Sequence, residues 1–138
     1  EQPAAHSADG YALMTGSPGV CGSTSGPGAT NLVTGIMGAR ADSVPMVAIT
    51  GQVARPVLGS EAFQECDICS IAAACTKRTY LVMSQHDLAA TMHESFRTAK
   101  EGRPGQVPQL RQLVDLGAAG GVRSERRSTS NREARVWQ

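Results

Sequence analysis

The sequence is poor in aromatic side chains, which make up only 4% of its 138 residues. A hydrophobic core would therefore be built from Val, Ile, Leu, Met and Ala, and a hydrophobic content of 41% is enough for one. The sequence has no run of 18 apolar residues and no recognisable signal peptide, so we expect no membrane-spanning segment. A net charge of only +1 argues against a general binder of nucleic acids or membrane surfaces.

The usual motifs for phosphate binding and nucleophilic catalysis are also missing. No Gly-Lys-Ser/Thr sequence occurs, which excludes a Walker phosphate loop, and Gly26-Pro27-Gly28 lacks the third glycine of a dinucleotide fingerprint. The segment 22–26 is only a loose match to the Gly-x-Ser-x-Gly setting of a serine nucleophile.

Four cysteines occur without the other features of a disulfide scaffold, which predicts reduced, cytosolic thiols. They are Cys21, Cys66, Cys69 and Cys75. Cys66 and Cys69 have the spacing of a zinc-ligand pair, but no second pair follows at a usual interval. We therefore expect semi-buried thiols and no metal site.

The most informative stretch is residues 19–52, which reads as strand, turn, helix and strand. Val20–Thr24 is a short strand pattern, and the glycines and proline of Ser25–Gly28 favour a sharp turn. A helical pattern covers about Ala29–Arg40, with Leu32, Val33, Ile36 and Met37 on one face. The uninterrupted apolar run Met46–Ile49 is typical of a strand covered on both faces. This order predicts an α/β fold, a three-layer sandwich with a mostly parallel sheet, in which ligands bind beyond the strand ends at Ser25–Gly28 and Thr50–Gln52.

The remaining pattern predicts a helix over residues 1–15, a helical turn over 68–74, a strand over 79–82 and a helix from about 84 to 100. Gln106-Val107 begins a further strand pattern, but Pro108 interrupts it, and a polar, charged tract follows from residue 117. The length suits one domain. We therefore predict a domain over 1–107 and a divergent, disordered tail over 108–138. The first residue is Glu1, not Met, which predicts a processed chain or a fragment.

Spacing alone favours structural roles for two notable side chains. Glu1 stands at a helix start, where a solvated carboxylate is favoured by the helix dipole. Phe63, flanked by polar residues, would anchor a loop to the core.

Several segments together carry a resemblance to a known family. They are Glu1-Gln2, Ala4-Ala5-His6, Ala8-Asp9-Gly10-Tyr11-Ala12, Thr24-Ser25-Gly26-Pro27-Gly28-Ala29-Thr30-Asn31-Leu32-Val33-Thr34-Gly35-Ile36, Asp42-Ser43-Val44-Pro45-Met46-Val47, Ile49-Thr50-Gly51-Gln52-Val53, Ala62-Phe63-Gln64-Glu65, Thr76-Lys77, Tyr80-Leu81-Val82 and Gly102-Arg103-Pro104-Gly105. Over residues 1–107 the sequence resembles the amino-terminal, pyrimidine-binding domain of thiamine-diphosphate enzymes, and in particular acetolactate (acetohydroxyacid) synthase large subunits.

The resemblance implies roles for individual residues. Glu1 would hydrogen-bond the N1′ atom of the cofactor's aminopyrimidine, and Gln64 would join it in catalysis. The turn residues Ser25, Gly26, Pro27 and Gly28, with Asn31, would border the cofactor. Phe63, Gln64, Ala54 and Arg55 would lie on the substrate and inhibitor side.

The resemblance also implies an activity: decarboxylation of pyruvate and condensation of the hydroxyethyl unit with a second 2-oxo acid, in branched-chain amino-acid biosynthesis. The family uses thiamine diphosphate, Mg²⁺ and FAD. It forms homodimers or tetramers through the active-site interface, some with a regulatory small subunit, in the bacterial cytoplasm or in plastids. The Gly-Asp-Gly motif for Mg²⁺ and diphosphate and the FAD domain do not occur in this sequence, so we expect the chain alone to be inactive. The alternatives are another thiamine-diphosphate lyase or decarboxylase and a non-functional truncated product.

One departure from the family pattern bears on stability. Gly22-Ser23 replaces apolar strand residues and is expected to weaken its strand, because glycine in a strand is unfavourable.

Overall fold

The computed structural model describes residues 1–102 and the strand at 106–111. Its elements follow in chain order: α1 (Gln2–Thr15), β1 (Gly19–Ser23), α2 (Pro27–Asn31), α3 (Val33–Ala41), β2 (Met46–Thr50), α4 (Ile68–Ala73), β3 (Tyr80–Val82), α5 (Leu88–Lys100) and β4 (Gln106–Arg111). Two short 3₁₀ helices, Arg55–Val57 and Gln85–Asp87, lie in the connections.

The described strands form one parallel sheet in the order β1-β2-β4-β3. Gly19 pairs with Met46 at one end of β1 and Ser23 pairs with Thr50 at the other. The helices between successive strands supply the crossovers that parallel pairing requires. The prediction of an α/β fold with a parallel sheet is therefore confirmed.

Helices cover the sheet on both faces, which makes three layers. On one face, Cys21, Met46 and Ala48 pack with small and aliphatic side chains of α1, α3 and α4. On the other, Val47 packs with Ala99 of α5, and Phe96 lies against them. Val47 is fully buried, as expected for a strand residue between two helical layers. The core is aliphatic and small, as the composition predicted.

Helix α1 packs closely on the sheet and on α3 because its inner face carries only alanines, Ala5, Ala8 and Ala12. A Cβ on Gly35 of α3 would lie 2.5 Å from the Cβ of Ala5, so the two helices approach with no room for a side chain there. The helix ends at Gly16, whose φ of 69° is left-handed and favours glycine. The predicted helix over residues 1–15 is confirmed.

The predicted single helix over 29–40 is instead two helices that meet at Leu32. Helix α2 begins two residues earlier than predicted, at Pro27, whose fixed φ suits a first helical position. The Leu32 amide donates to Ala29 O, a tight bond of the 3₁₀ type, before α3 continues. Leu32 and Ile36 are buried as predicted, whereas Met37 is half exposed.

Strand β4 continues through Pro108, which the sequence pattern treated as an interruption. Pro108 is the register partner of Ala48, and the strand extends to Arg111. Proline removes one amide donor from the ladder but keeps an extended backbone, so the strand loses a hydrogen bond without ending. The rest of the predicted tail, from residue 112, lies outside the described residues.

Among the described residues, no helix is both long and apolar enough to cross a membrane.

Candidate functional site

The carboxyl ends of β1 and β2 lie side by side, as the parallel pairing predicts. The amide of Gly51 donates to Ser23 O at 2.9 Å. A Cβ on Gly51 would lie 3.0 Å from the backbone nitrogen of Ser25, so the chain after β2 passes directly over the turn after β1. The two strand ends therefore form one edge on which a ligand can bind.

The side chain of Glu1 is directed to this edge. Glu1 is the residue before α1, yet its carboxylate makes no capping bond to that helix. Instead, Asn31 Nδ2 donates to Glu1 Oε2 at 3.4 Å. The carboxylate is exposed and accessible from solvent.

Gly28 completes this contact because it has no side chain. A Cβ at position 28 would lie 3.3 Å from Glu1 Oε1 and 2.6 Å from Cγ2 of Thr24. Gly28, on the first turn of α2, thus leaves the space into which the carboxylate fits. The structure therefore brings Glu1, Gly28 and Asn31 together, three residues that the sequence grouped only through resemblance.

The backbone of Gln64 packs against the same turn, at Gly26. A Cβ on Gly26 would lie 2.5 Å from Gln64 O, so this close approach requires glycine. Gln64 and Glu61 both have left-handed φ values, 61° and 58°, which are unfavourable for side chains with a Cβ. The loop holds Gln64 in a strained conformation against the turn, and strain of this kind is concentrated at functional sites.

Glu65 holds this loop in shape, a role that the sequence analysis did not assign. Its carboxylate accepts hydrogen bonds from the amides of Gly59 and Ala62. These backbone bonds, that of Gly59 first, lower the pKa of the Glu65 carboxyl. The resemblance drew attention to the segment 62–65, but residue spacing does not predict which backbone amides Glu65 binds.

The interpretation of Phe63 as a core anchor is wrong, because its side chain is 89% exposed. The hydrogen bonds of Glu65 to Gly59 and Ala62 hold the loop, and Phe63 projects outward from it. An exposed phenylalanine beside a strained loop is a candidate contact for a ligand or a second protein surface.

Gln52 joins the end of β2 to the segment before α4. Its Nε2 donates to Cys66 O at 2.9 Å, and its Oε1 accepts from the amide of Val53 at 2.9 Å. The sequence placed Gln52 at a strand end but gave it no partner, since a bond to a carbonyl fourteen positions later has no local signal.

The remaining predicted site residues lie around this edge with different exposure. Ser25 is half-buried and Pro27 is exposed. Ala54 is half-buried and precedes the 3₁₀ helix that begins at Arg55, whose side chain is exposed. Their contacts are local: the carbonyl of Ala54 accepts from Val57 and that of Arg55 from Leu58.

The surface of the described part of the chain is concave in at least two places. A cavity of about 280 Å³ is lined by residues after β2, around α4 and on β3, among them Gln52, Glu65, Cys66 and Cys69. A larger groove of about 630 Å³ runs between α1 and the outer edge of β1, and none of the predicted site residues lines it.

The residues at this edge suit the polar ring of a cofactor better than a part of it that is bound to a metal ion. An accessible carboxylate beside an amide suits hydrogen bonding to a small polar ring. The hydroxyl of Thr50, which is almost fully buried at the end of β2, has no hydrogen-bond partner among the described residues. In residues 1–102, no group of three or more His, Cys, Asp or Glu side chains could hold a metal ion.

Comparison with protein families gives a match over the first half of the chain. The model of the thiamine pyrophosphate enzyme, N-terminal TPP binding domain, matches residues 1–71. This range includes Glu1, the turn after β1, Asn31 and the loop that carries Phe63 and Gln64.

Similar curated proteins are acetolactate synthases. The chain is 55% identical over 116 residues to the acetolactate synthase isozyme 2 large subunit of Escherichia coli K12, covering 84% of this chain and 20% of that protein. It is 57% identical over the same length to the acetolactate synthase of Arthrospira platensis, covering 84% of this chain and 19% of that protein. For the acetolactate synthase large subunit of Porphyra purpurea, the identity is 53%, again over 84% of this chain and 19% of that protein.

The chain thus spans about one fifth of the length of these relatives. The similar stretch of 116 residues is longer than the predicted domain of residues 1–107, so part of the similarity lies beyond Val107.

Proposed function

Because the chain belongs to the thiamine pyrophosphate enzymes and carries part of their N-terminal TPP-binding domain, we propose that it is the pyrimidine-binding part of an acetolactate synthase large subunit. The complete protein would decarboxylate pyruvate and condense the two-carbon unit with a second 2-oxo acid, in branched-chain amino-acid biosynthesis. The identity of 53–57% to three such synthases supports this activity.

One observation carries the proposal: the Glu1 carboxylate reaches across to Asn31 and Gly28 at the carboxyl edge of the sheet. A carboxylate that only stabilised its own helix would bond to the first amides of α1, but Glu1 makes no such bond and contacts Asn31 of α2 instead. An accessible acid at a ligand-binding edge suits proton exchange with a ring nitrogen.

Thiamine diphosphate, when bound, would supply the electron sink for decarboxylation. Glu1 would hold a proton at its carboxyl and share it with N1′ of the aminopyrimidine. Asn31 would fix the direction of that carboxylate, and Gly28 would keep the space beside it open. Ser25, Gly26 and Pro27 would border the ring with their backbone. The close packing of Gly26 on Gln64 would fix the backbone of this turn beside the ring.

The substrate side would be formed by the strained loop and the segment after β2. Gln64 is held against the turn, and Phe63 projects from the same loop, so both could contact a 2-oxo acid or its product. Ala54 and Arg55, on the segment after Gln52, would border the same space, and Arg55 would offer a positive charge to a carboxylate.

The rest of the site would come from outside the described residues. Mg²⁺, which would bind the diphosphate, and FAD would be bound by other parts of a longer protein, since residues 1–102 contain no metal-ligand cluster. Strand β4 crosses the predicted boundary between a domain at 1–107 and a tail at 108–138, and a separate tail beyond Arg111 stays a prediction.

A homodimer or tetramer through the active-site edge would cover Phe63, and a regulatory small subunit is consistent with relatives that are named large subunits. Such a protein would work in the bacterial cytoplasm or, in a plant, in the plastid.

Pyruvate turnover by the longer protein that contains this chain tests the proposal. With thiamine diphosphate and Mg²⁺ it should form acetolactate, and Glu1→Gln should lower kcat by about 10²–10³ because the shared proton is lost. Glu101→Gln is the matched control, since Glu101 is an exposed carboxylate paired with Arg97 on α5, away from the site. Absence of acetolactate from the unsubstituted protein, or a full rate in Glu1→Gln, would contradict the proposal.

A further inference from the structure

The four thiols of the chain fall into two classes. Cys21 and Cys75 are buried in the main core, and burial raises the pKa of Cys21 to about 11. Cys66 and Cys69 are half-buried, and both line the cavity of about 280 Å³ beside Gln52. Cys21 borders the larger groove beside α1, but it is only 5% exposed and has no second cysteine beside it there, whereas Cys66 and Cys69 share one cavity.

Cys66 and Cys69 line the same cavity and flank the start of α4. Asp67, between them, caps α4: its carboxylate accepts from the amide and the hydroxyl of Ser70. Both cysteine side chains pack against the same small cluster, which contains Ala29 and Ile68. A disulfide needs Cα atoms about 4.4–6.8 Å apart, a separation that a Cys-x-x-Cys turn can reach.

A metal site is the other role for this spacing, and the surroundings do not support it. Asp67 is already bound to Ser70, and no third ligand completes a cluster within residues 1–102. Two thiols that share a cavity and have no third ligand are better suited to reaction with each other.

We propose that Cys66 and Cys69 form a reversible dithiol–disulfide site that reacts with low-molecular-weight disulfides entering this cavity. The proposal is independent of the function proposed above.

The reaction is two successive thiol–disulfide exchanges. One cysteine thiolate attacks a sulfur of the small disulfide, forms a mixed disulfide and releases one small thiol. The second cysteine thiolate attacks the protein sulfur of that mixed disulfide, forms the Cys66–Cys69 bond and releases the other small thiol. The two protein thiols lose two electrons and two protons, and the small disulfide gains both.

The environment of Cys69 sets the expected rate. Burial raises the pKa of its thiol, against the effect of a hydrogen bond with Thr79, so little of it is thiolate at neutral pH. The internal disulfide should therefore form faster as the pH rises from 7 toward 9.

The bond would also reach the proposed ligand edge. The carbonyl of Cys66 accepts from Gln52 Nε2, which links the backbone at Cys66 directly to the residues that follow β2.

The test uses the purified 138-residue chain, equilibrated with mixtures of oxidised and reduced glutathione and analysed by intact mass and peptide mapping. We expect a loss of two hydrogen masses and a Cys66–Cys69 peptide at least about tenfold more abundant than any disulfide that contains Cys21 or Cys75, since those thiols are buried. Reduction with dithiothreitol should restore the original mass.

Two substitutions separate the steps. Cys69→Ser should stop at a glutathione adduct on Cys66, and Cys66→Ser should stop at an adduct on Cys69, because neither retains a second thiol. Circular dichroism of each variant checks that it is folded, and the unsubstituted chain needs no variant to decide the outcome. The proposal fails if glutathione adducts accumulate on both cysteines of the unsubstituted chain, if all four thiols stay reduced at every ratio, or if Cys21 or Cys75 enters the main disulfide.

Discussion

At the scale of single residues, the site depends on contacts between positions that are far apart in sequence. Glu1 meets Asn31, and Gly26 meets Gln64. Neither contact can be predicted from the spacing of neighbouring residues. Spacing alone favoured a solvated Glu1 carboxylate and a Phe63 side chain that anchors its loop to the core. Only resemblance singled out Glu1, Asn31 and Gln64 in advance. The functions of these residues stay predictions, whereas their proximity is a property of the structure.

Asn31 should affect catalysis through Glu1. In the longer protein, Asn31→Ala should lower kcat about tenfold, since it removes one hydrogen bond to a charged group, worth about 1.5 kcal/mol, and the KM for pyruvate should change little. Asn31→Asp should lower kcat further, because two neighbouring carboxylates repel. Thr34→Ala, at an exposed position of α3, is the control, and steady-state kinetics decide. Full activity in both Asn31 variants would contradict the role.

Glu65 and Asp67 should make folding stability depend on acid pH. Backbone bonds, that to Gly59 first, lower the pKa of Glu65, and the side-chain bond to Ser70 lowers that of Asp67. Because each carboxyl has a lower pKa in the folded than in the unfolded protein, it stabilises the fold at pH values above its ordinary pKa, which is 4.5 for Glu65 and 3.8 for Asp67. This stabilisation is lost as the pH falls through the pKa of the folded state.

Urea unfolding between pH 7 and pH 3 measures this dependence. The midpoint should be constant down to about pH 5 and fall below it, and the double variant Glu65→Gln, Asp67→Asn should fall less steeply. An identical acid profile in the double variant would show that these two carboxylates do not carry the effect.

At the scale of elements, strand β2 was more predictable than the helical segment between β1 and β2. The apolar run of β2 has no interruption and identifies a strand covered on both faces, and the structure confirms it. The break at Leu32 was not predictable, because Leu32 fits the helical spacing. It arises from tertiary packing: Ala29 of α2 packs against Ile68, whereas Leu32 and Ile36 pack into the main core.

Two glycines in β1 should respond to alanine in opposite directions. A Cβ on Gly19 would overlap the carbonyl of Ala8 in α1, so Gly19→Ala should destabilise the fold by about 1–3 kcal/mol. A Cβ on Gly22 would meet only Ile49 O, at an ordinary 3.5 Å, so Gly22→Ala should stabilise it by about 0.5–1 kcal/mol. Thermal or urea unfolding of the two variants compares them directly. Shifts of the same sign would contradict this account of β1.

At the scale of the whole molecule, the fold class followed from the order of the elements, but the borders of the sheet did not. Strand β1 lies at one edge of the described sheet, and Val20 on it is 48% exposed. What lies next to an edge strand is set by the rest of a protein, and this chain spans about one fifth of the length of its relatives. The passage of β4 through Pro108 was likewise decided by its two neighbouring strands.

The absence of a metal-ligand cluster from the part of the chain that the structure describes leads to one prediction for the 138-residue chain by itself. It should form no acetolactate from pyruvate with thiamine diphosphate and Mg²⁺, because the described residues offer Glu1 for the pyrimidine end but no cluster for the metal. A colorimetric acetolactate assay on the purified, folded chain checks this, with the longer protein as the positive control. Sustained turnover by the short chain would contradict it.

The most direct test of the central claim is the exchange of the C2 hydrogen of thiamine diphosphate bound to the longer protein, measured by quenched NMR in heavy water. If the Glu1 carboxylate faces the pyrimidine ring, Glu1→Gln should slow the exchange by about 10²-fold or more while Glu101→Gln leaves it unchanged. Equal exchange rates in the Glu1→Gln variant and the unsubstituted protein would contradict the claim.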